Sequence, residues 1–343
     1  MKKFVSLFLC TLLCMSLLAG CATDSADPTN EATDAASAGN VLSAGDATED
    51  NEKFVVGICQ LAPHEALDAA TQGFQDALID ELGAENVEFI LQNAAGEANT
   101  CTTIVNDFVS KEVDLIMANA TAALQAAANA TLDIPILGTS ITEYGVALEL
   151  TDFDGTVGGN ISGTSDLAPL DEQAQMVIDL VPDAKTVGLL YCSAEPNSEY
   201  QVKVVREYLE GKGLTVEDFA FSASSDVAQV AEAAAAACDA LYIPTDNTAA
   251  SCTETINNVV LPTGTPIIAG ESGICSGCGI ATLSISYYEL GKTTGIMAAK
   301  ILKGEADISN MPIEYDNNPV KKYNATNCTE LNITVPEDYE PLA

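Results

Sequence analysis

From residue 54 onward, short apolar runs alternate with stretches of helical spacing. Phe54-Val55-Val56-Gly57-Ile58-Cys59 is a continuous apolar run, the pattern of a strand buried on both faces. Residues 66–82 place Leu67, Ala70, Phe74, Ala77 and Leu78 on one helical face. Strands are predicted next over 87–91, 113–117 and 134–137, with helices over 99–110 and 121–130 between them. The rhythm then restarts. Helices are predicted over 170–180, 199–211, 227–237 and 249–260, and strands over 186–191, 214–221, 240–243 and 266–269. A last strand over 280–285 and a helix over 288–302 follow, with Lys300, Lys303 and Gly304 suited to a helix end. A closing strand is predicted over 331–335.

Alternation of this kind implies parallel sheets with helices on both faces. Two successive runs imply two Rossmann-like lobes of an α/β protein, and a returning final segment would join them through several crossings that act as a hinge. The boundaries read as 54–142 with 273–304 for the first lobe, and 143–272 with 305–343 for the second.

The N-terminus has a different pattern. Lys2 and Lys3 precede an apolar stretch, Phe4 to Leu18, which ends in Leu18-Ala19-Gly20-Cys21. This is a secretory signal over 1–20. The four-residue end resembles a bacterial lipobox, in which Cys21 becomes the lipidated first residue; a plain signal peptide or an anchor helix is the alternative. Residues 22–52 hold no aromatic residue, Ile or Met, so the segment over 21–53 reads as a flexible acidic tether. No later apolar run is long enough to span a bilayer.

Charge narrows the partners. Acidic residues outnumber basic ones 50 to 13, a net charge of −37, and Arg206 is the only Arg. Such a chain repels nucleic acid and anionic lipid, so membrane contact is expected through the lipid alone. His64 is the only His, and neither a metal-ligand spacing nor a P-loop nor a GxGxxG sequence occurs, so no metal or cofactor is expected. Eight cysteines follow Cys21, and the close pair Cys275 and Cys278 suggests a local disulfide or two free thiols.

Open α/β sheets bind ligands at the carboxyl ends of their strands. Every predicted tip here is polar and none carries Lys or Arg, while acids recur at Glu65, Glu143, Asp166, Glu195, Asp246 and Glu271. Many tip residues would serve as helix N-caps in any such fold. The bias toward acids nevertheless suits a ligand bearing an amine and disfavours a multiply charged phosphate. A single carboxylate could still be held at helix N-termini near Thr121 and Ser165.

The ordered segments QLAPHEALDAA, ANATAALQAAANAT, IPILGTSIT, GTSDLAP, YCSAEPNSEYQ, YIPTDNTAAS, AGESG and SYYELGKTTGIMAAKILKG resemble ABC-transporter substrate-binding lipoproteins, a family that includes members binding tryptophan and other aromatic amino acids. The resemblance spans 54–304 and implies the type I periplasmic-binding fold. It departs from the family pattern at Thr121-Ala122-Ala123, where T-P-A is usual, and after Thr142. By this resemblance, Asp246 or Glu271 would meet the amine of an amino acid, and Ser165 and Thr121 its carboxylate. Glu195, Asn197 and Ser198 would come from the second lobe, and Gln60, His64 and Tyr287 would line the side-chain end. Thr142, Asp166 and Asn247 complete the implied set. The implied protein is a monomer held at the outer face of the bacterial cell membrane, passing a small ligand to an ABC permease with its ATPase. A sensory receptor of the same fold and an extracytoplasmic enzyme using a carboxylate pair are the competing readings.

Overall fold

The computed structural model describes residues 53–316 and 318–342; the signal segment, Cys21 and the tether lie outside the described residues. The first run comprises β1 (Phe54–Gln60), α1 (Glu65–Leu82), β2 (Val87–Asn93), α2 (Ala98–Ser110), β3 (Leu115–Asn119), α3 (Thr121–Ala130), β4 (Ile136–Ile141), the short α4 (Tyr144–Ala147) and β5 (Ile161–Ser165). The second comprises α5 (Leu170–Leu180), β6 (Thr186–Cys192), α6 (Pro196–Gly211), β7 (Thr215–Phe221), α7 (Val227–Ala237), β8 (Ala240–Ile243), α8 (Asn247–Ala250), α9 (Thr253–Val260), β9 (Ile267–Ala269), α10 (Ser272–Gly277) and β10 (Ala281–Ser284). The chain returns through α11 (Tyr287–Leu302) and β11 (Glu314–Tyr315) and ends in β12 (Val320–Tyr323), α12 (Ala325–Glu330) and β13 (Glu340–Pro341).

These strands form two sheets, ordered β11-β5-β4-β3-β1-β2 and β13-β12-β10-β9-β8-β6-β7. Pairing is parallel throughout except between β10 and β12. The alternation of side chains along β1 explains how both faces are covered. Val56 and Ile58 join Phe74 and Leu78 of α1 and Met297 of α11, while Cys59 joins Ile104 and Phe108 of α2. The sheet order reverses at β1/β3 and at β6/β8. In open α/β sheets, ligands bind in the crevice at such reversals.

Three segments cross between the sheets: the stretches after β5, after β10 and after β11. Strand pairing redraws the predicted lobes. Ile161–Ser165 belongs to the first sheet, beside β4, and Ala281–Ser284 to the second, between β9 and β12; only α11 and β11 of the final segment return to the first lobe. Two further expectations change. Residues 249–260 break into α8 and α9, because Asp246 caps a separate turn starting at Asn247. Residues 331–335 form no strand, and the second sheet is closed by β12 and β13 instead.

Candidate functional site

The strand tips face each other across a cavity of about 290 Å³ including its mouth. The first lobe contributes His64 at the N-cap of α1, Leu67, Ser140 and Thr142 at the tip of β4, Asp166 after β5, and Tyr287 at the start of α11. The second contributes Asn197 from the first turn of α6, Thr245, Asp246 and Asn247 after β8, Ala250, and Glu271 before α10. Side-chain hydrogen bonds span the cleft from His64 Nε2 to Asn247 Oδ1 at 3.3 Å and from Thr142 Oγ1 to Thr245 Oγ1 at 3.4 Å. Ser140 sits at φ 55°, a left-handed backbone that non-glycine residues adopt at a cost and that recurs at ligand sites.

The three buried carboxylates differ in how they are occupied. Asp246 accepts from Cys192 N at 2.6 Å, Ser198 Oγ at 2.8 Å and Ala249 N at 2.8 Å. It thus ties the tip of β6 to the tip of β8 and caps α8. Burial, reinforced by the neighbouring charge of Glu195, pushes it up to about 8. Glu271 accepts from Gly273 N at 2.6 Å and from Ile274 N, capping α10, and burial pushes it up to about 7. Asp166 is different. Its Oδ2 accepts from the Tyr287 hydroxyl at 2.8 Å, but its Oδ1 is buried without a partner. Burial raises this carboxyl too, against the pull of the Tyr287 and Thr142 hydroxyls and of its own backbone. His64 Nδ1, Ser140 Oγ and Asn197 Oδ1 are likewise buried and unpartnered, and all three residues line the cavity. A folded protein pairs nearly all of its buried polar atoms. Four orphans around one cavity therefore mark it as built for a polar guest.

Of the residues expected at the site, the cavity brings together His64, Thr142, Asp166, Asn197, Asp246, Asn247, Glu271 and Tyr287. Five stand behind it. Gln60 is spent on its own lobe, donating to Ala62 O and Asp68 Oδ1 and accepting from Thr71 Oγ1. Ser165 donates to Thr142 O and accepts from Leu167 N. Ser198 serves Asp246, and Thr121 begins α3 away from the lining. Glu195 braces α8, accepting from Asn247 N at 3.0 Å, Asn247 Nδ2 at 2.7 Å, Thr248 N at 2.9 Å and Thr248 Oγ1 at 2.8 Å. The cavity also uses Ser140, Thr245, Ala66, Leu67 and Ala250, which the sequence reading left out. Ser140 and Thr245 are polar tip residues, so their signal was present. The apolar three are recognisable only once the helix starts are placed.

Of the two readings left open for Cys275 and Cys278, the disulfide is not formed. Both are free thiols buried at α10, and Cys278 Sγ instead donates to Ile274 O at 3.3 Å. Among the described residues, no group of His, Cys, Asp and Glu could hold a metal ion, and no helix is long and apolar enough to cross a membrane.

Two parallel-dominated lobes, three crossings and a polar interlobe cleft define a solute-binding protein with the type I periplasmic-binding fold. The chain belongs to the ABC transporter substrate binding protein family, whose model matches residues 55–342. It is 34% identical over 315 residues to a tyrosine-binding protein of Clostridioides difficile, covering 91% of this chain and 87% of that protein. It is similar to the ABC domain from Streptococcus pneumonia in complex with L-Trp, with 32% identity and a TM-score of 0.79 over 83% of this chain and 97% of that one. It also matches a ligand-free, open substrate-binding protein with adhesive properties from Clostridium difficile, at 35% identity and a TM-score of 0.65 over 84% and 99%. At comparable identity the fit is closer to the complex than to the open structure, in keeping with the hydrogen bonds that span the cleft here.

Proposed function

We propose that this protein is a lipid-anchored, extracytoplasmic receptor that captures an amino acid with an aromatic or other apolar side chain and delivers it to an ABC permease. The observation that carries the reading is Asp166 Oδ1, buried in the cleft and unpartnered beside lining residues that include no Lys or Arg. An ammonium group would satisfy it with a charge-assisted hydrogen bond. Asp246 and Glu271 are weaker candidates for the amine, because their oxygens already serve three and two internal donors. Asn197 Oδ1 offers the amine a second acceptor, and the free Ser140 hydroxyl can donate to the carboxylate in place of Thr121 and Ser165. Leu67, Ala66, Ala250 and the Tyr287 ring offer apolar surface to the side chain. The tyrosine-binding relative and the L-Trp complex support an aromatic ligand.

Anchoring rests on Leu18-Ala19-Gly20-Cys21, outside the described residues. The protein acts as a monomer, returns its ligand unchanged, and leaves energy coupling to the ATPase of its permease. Thermal-shift screening across the amino acids tests the reading, since a ligand that binds only the folded state raises the melting temperature. The chain contains no Trp, so the change in L-tryptophan fluorescence on binding can be followed without indole emission from the protein. A screen in which no amino acid shifts the melt overturns the proposal. Unchanged palmitate labelling of Cys21→Ser overturns its anchoring part.

A further inference from the structure

We propose that Glu195 and Asn247 hold His64 in its Nε2–H tautomer, so that Nδ1 accepts a hydrogen bond from the ligand's side chain and the cleft prefers amino acids whose ring carries an O–H or N–H. The inference rests on the amino-acid reading above and adds what selects among amino acids.

The chain of hydrogen bonds fixes the proton. Glu195 Oε2 accepts from both the backbone N and the side-chain Nδ2 of Asn247, at 3.0 and 2.7 Å. The Asn247 amide is therefore oriented with its NH₂ toward the carboxylate. Turning it over would set its oxygen against the carboxylate oxygen. The amide oxygen faces His64 Nε2 at 3.3 Å, and a carbonyl oxygen can only accept, so Nε2 carries the hydrogen. Burial keeps the ring neutral by lowering its proton affinity, against the opposing bond to Asn247 and the charges of Glu195 and Asp68. A neutral ring with its hydrogen on Nε2 has a bare lone pair on Nδ1.

That lone pair has no use inside the fold. His64 occupies the N-cap of α1, where a side-chain acceptor commonly serves a helix N–H, yet it makes no such bond. Nδ1 is shielded from solvent and unpartnered. The ring lines both the inner cavity and the wider outer cleft flanked by Pro63, Ser251 and Gly273, so it stands at the boundary between them. Asp166, the proposed amine partner, lines only the inner cavity. An amino acid anchored at Asp166 with its side chain running toward the outer cleft would bring the end of that side chain to His64. A site built around a buried acceptor rejects an analogue that leaves the acceptor unpaired. Glu195 is then a positioning residue, acting through Asn247.

Two measurements on the full-length protein in detergent test this. His64 is the only histidine, so a long-range ¹H–¹⁵N correlation spectrum reads its tautomer without assignment. The expected result at pH 7.5 is a protonated Nε2 and a bare Nδ1, with tautomer mixing in Glu195→Ala; an Nδ1–H or doubly protonated ring overturns the proposal. Calorimetry then compares L-tyrosine with L-phenylalanine and L-tryptophan with 1-methyl-L-tryptophan. One analogue is smaller than its parent and the other larger, so a shared preference cannot come from size. The donor-bearing ligand of each pair should bind at least about tenfold tighter. His64→Gln keeps an amide near the Nε2 position but has no atom at Nδ1, so it should lose the preference while still binding phenylalanine. His64→Asn, with an amide atom near Nδ1, should recover part of it. Equal affinities within both pairs, or a preference that survives in His64→Gln, overturns the selection. Failure of every amino acid to bind sinks the underlying function and the reader role with it, whereas binding without discrimination sinks only the role of His64.

Discussion

The phenol of Tyr287 donates to Asp166 Oδ2 at 2.8 Å across 121 positions of sequence. The two residues stand at two of the three interlobe crossings, and Ser286 N, next to Tyr287, reaches Asp316 Oδ2 on the third at 3.3 Å. The hinge and the proposed amine site thus share a hydrogen bond. Tyr287→Phe removes the phenol donor to Oδ2, the largest of the pulls that oppose burial, and so raises the Asp166 carboxyl further. Hydrogen bonds to charged groups are worth about 1.5–3 kcal/mol, so affinity at neutral pH should fall about tenfold or more. The pH at which affinity is half-maximal should move upward. Calorimetry from pH 5.5 to 8.5 checks both, and a dissociation constant unchanged throughout would detach Tyr287 from binding.

Asp166 and Asp246 should respond differently to the same substitution. Asp166→Asn keeps shape but removes the charge facing the ammonium, so affinity should fall about tenfold or more with little change in the melting temperature of the free protein. Asp246 holds Cys192 N, Ser198 Oγ and Ala249 N. In Asp246→Asn an NH₂ must face at least one of those donors, so the main effect should be on stability, about 1–3 kcal/mol. Parallel melts and titrations separate the two; a large loss of affinity in a fully stable Asp246→Asn would return the amine to that residue.

The strand Ile161–Ser165 shows where hydropathy stops being informative. Only Ile161 is apolar, yet all five residues are buried. Their hydroxyls satisfy one another and the backbone: Thr164 Oγ1 meets Thr139 Oγ1 at 3.1 Å and Thr294 Oγ1 at 2.9 Å, and Ser162 Oγ donates to Met311 O at 3.0 Å. A strand whose polar groups are paired in the core has no alternation to detect, and missing it misplaced the lobe boundary. By contrast, the apolar runs of β1, β3 and β8 and the helical faces of α1 and α5 were legible because burial there is mostly apolar, with one polar residue each in β1, β3, α1 and α5: Gln60, Asn119, Thr71 and Gln173. At the site, the chemistry of the tips could be read but not the bookkeeping of donors. Asp166 and Asp246 look alike in sequence, and only the fold shows that one carboxylate is occupied and the other half free.

Acidity should stabilise the free protein. Asp246, ordinarily near 3.8, is pushed up to about 8, and Glu271, ordinarily near 4.5, to about 7. Between these limits the folded state keeps protons that the unfolded chain has released. Stability therefore falls as pH rises through about 4 to 8 and levels off above that window. Self-repulsion of a chain with net charge −37 acts in the same direction. Melting temperatures at pH 5, 6, 7 and 8 should decline, and the slope should be shallower in Glu271→Gln. A melt that rises from pH 5 to 8 would contradict the burial of these groups.

Thiol chemistry should report eight reduced cysteines from Cys59 to Cys328. All eight are free, and only Cys252 is part-exposed. Burial pushes the Cys275 and Cys278 thiols well above their ordinary range, so few thiolates form there and attack on reagents is slow. Denatured, unreduced protein beginning at Lys53 should titrate eight thiols, and native protein should release one rapidly. Six thiols on denaturation would mean that a disulfide forms.

His64 and Tyr287 stand at the starts of a packed pair of helices, α1 and α11. Helix α1 lies against α11 at glycine contacts: a Cβ on Gly291 would stand 2.0 Å from Ala70 O, one on Gly73 2.0 Å from Tyr288 O, and one on Gly295 2.6 Å from Phe74 O. These neighbours are backbone, which cannot swing aside. In Gly291→Ala the intrinsic helical gain of about 1 kcal/mol is set against an overpacking cost of about 1–3 kcal/mol. The forced separation also moves both helix starts, which line the cleft. Gly291→Ala should therefore melt lower and bind ligand more weakly. Gly211, the last residue of α6, has nothing within 4 Å of the same added atom, so Gly211→Ala should leave binding unchanged and hold or raise the melting temperature. If Gly291→Ala melts at or above the parent, the helices are not in backbone contact and the cleft is not set by their spacing.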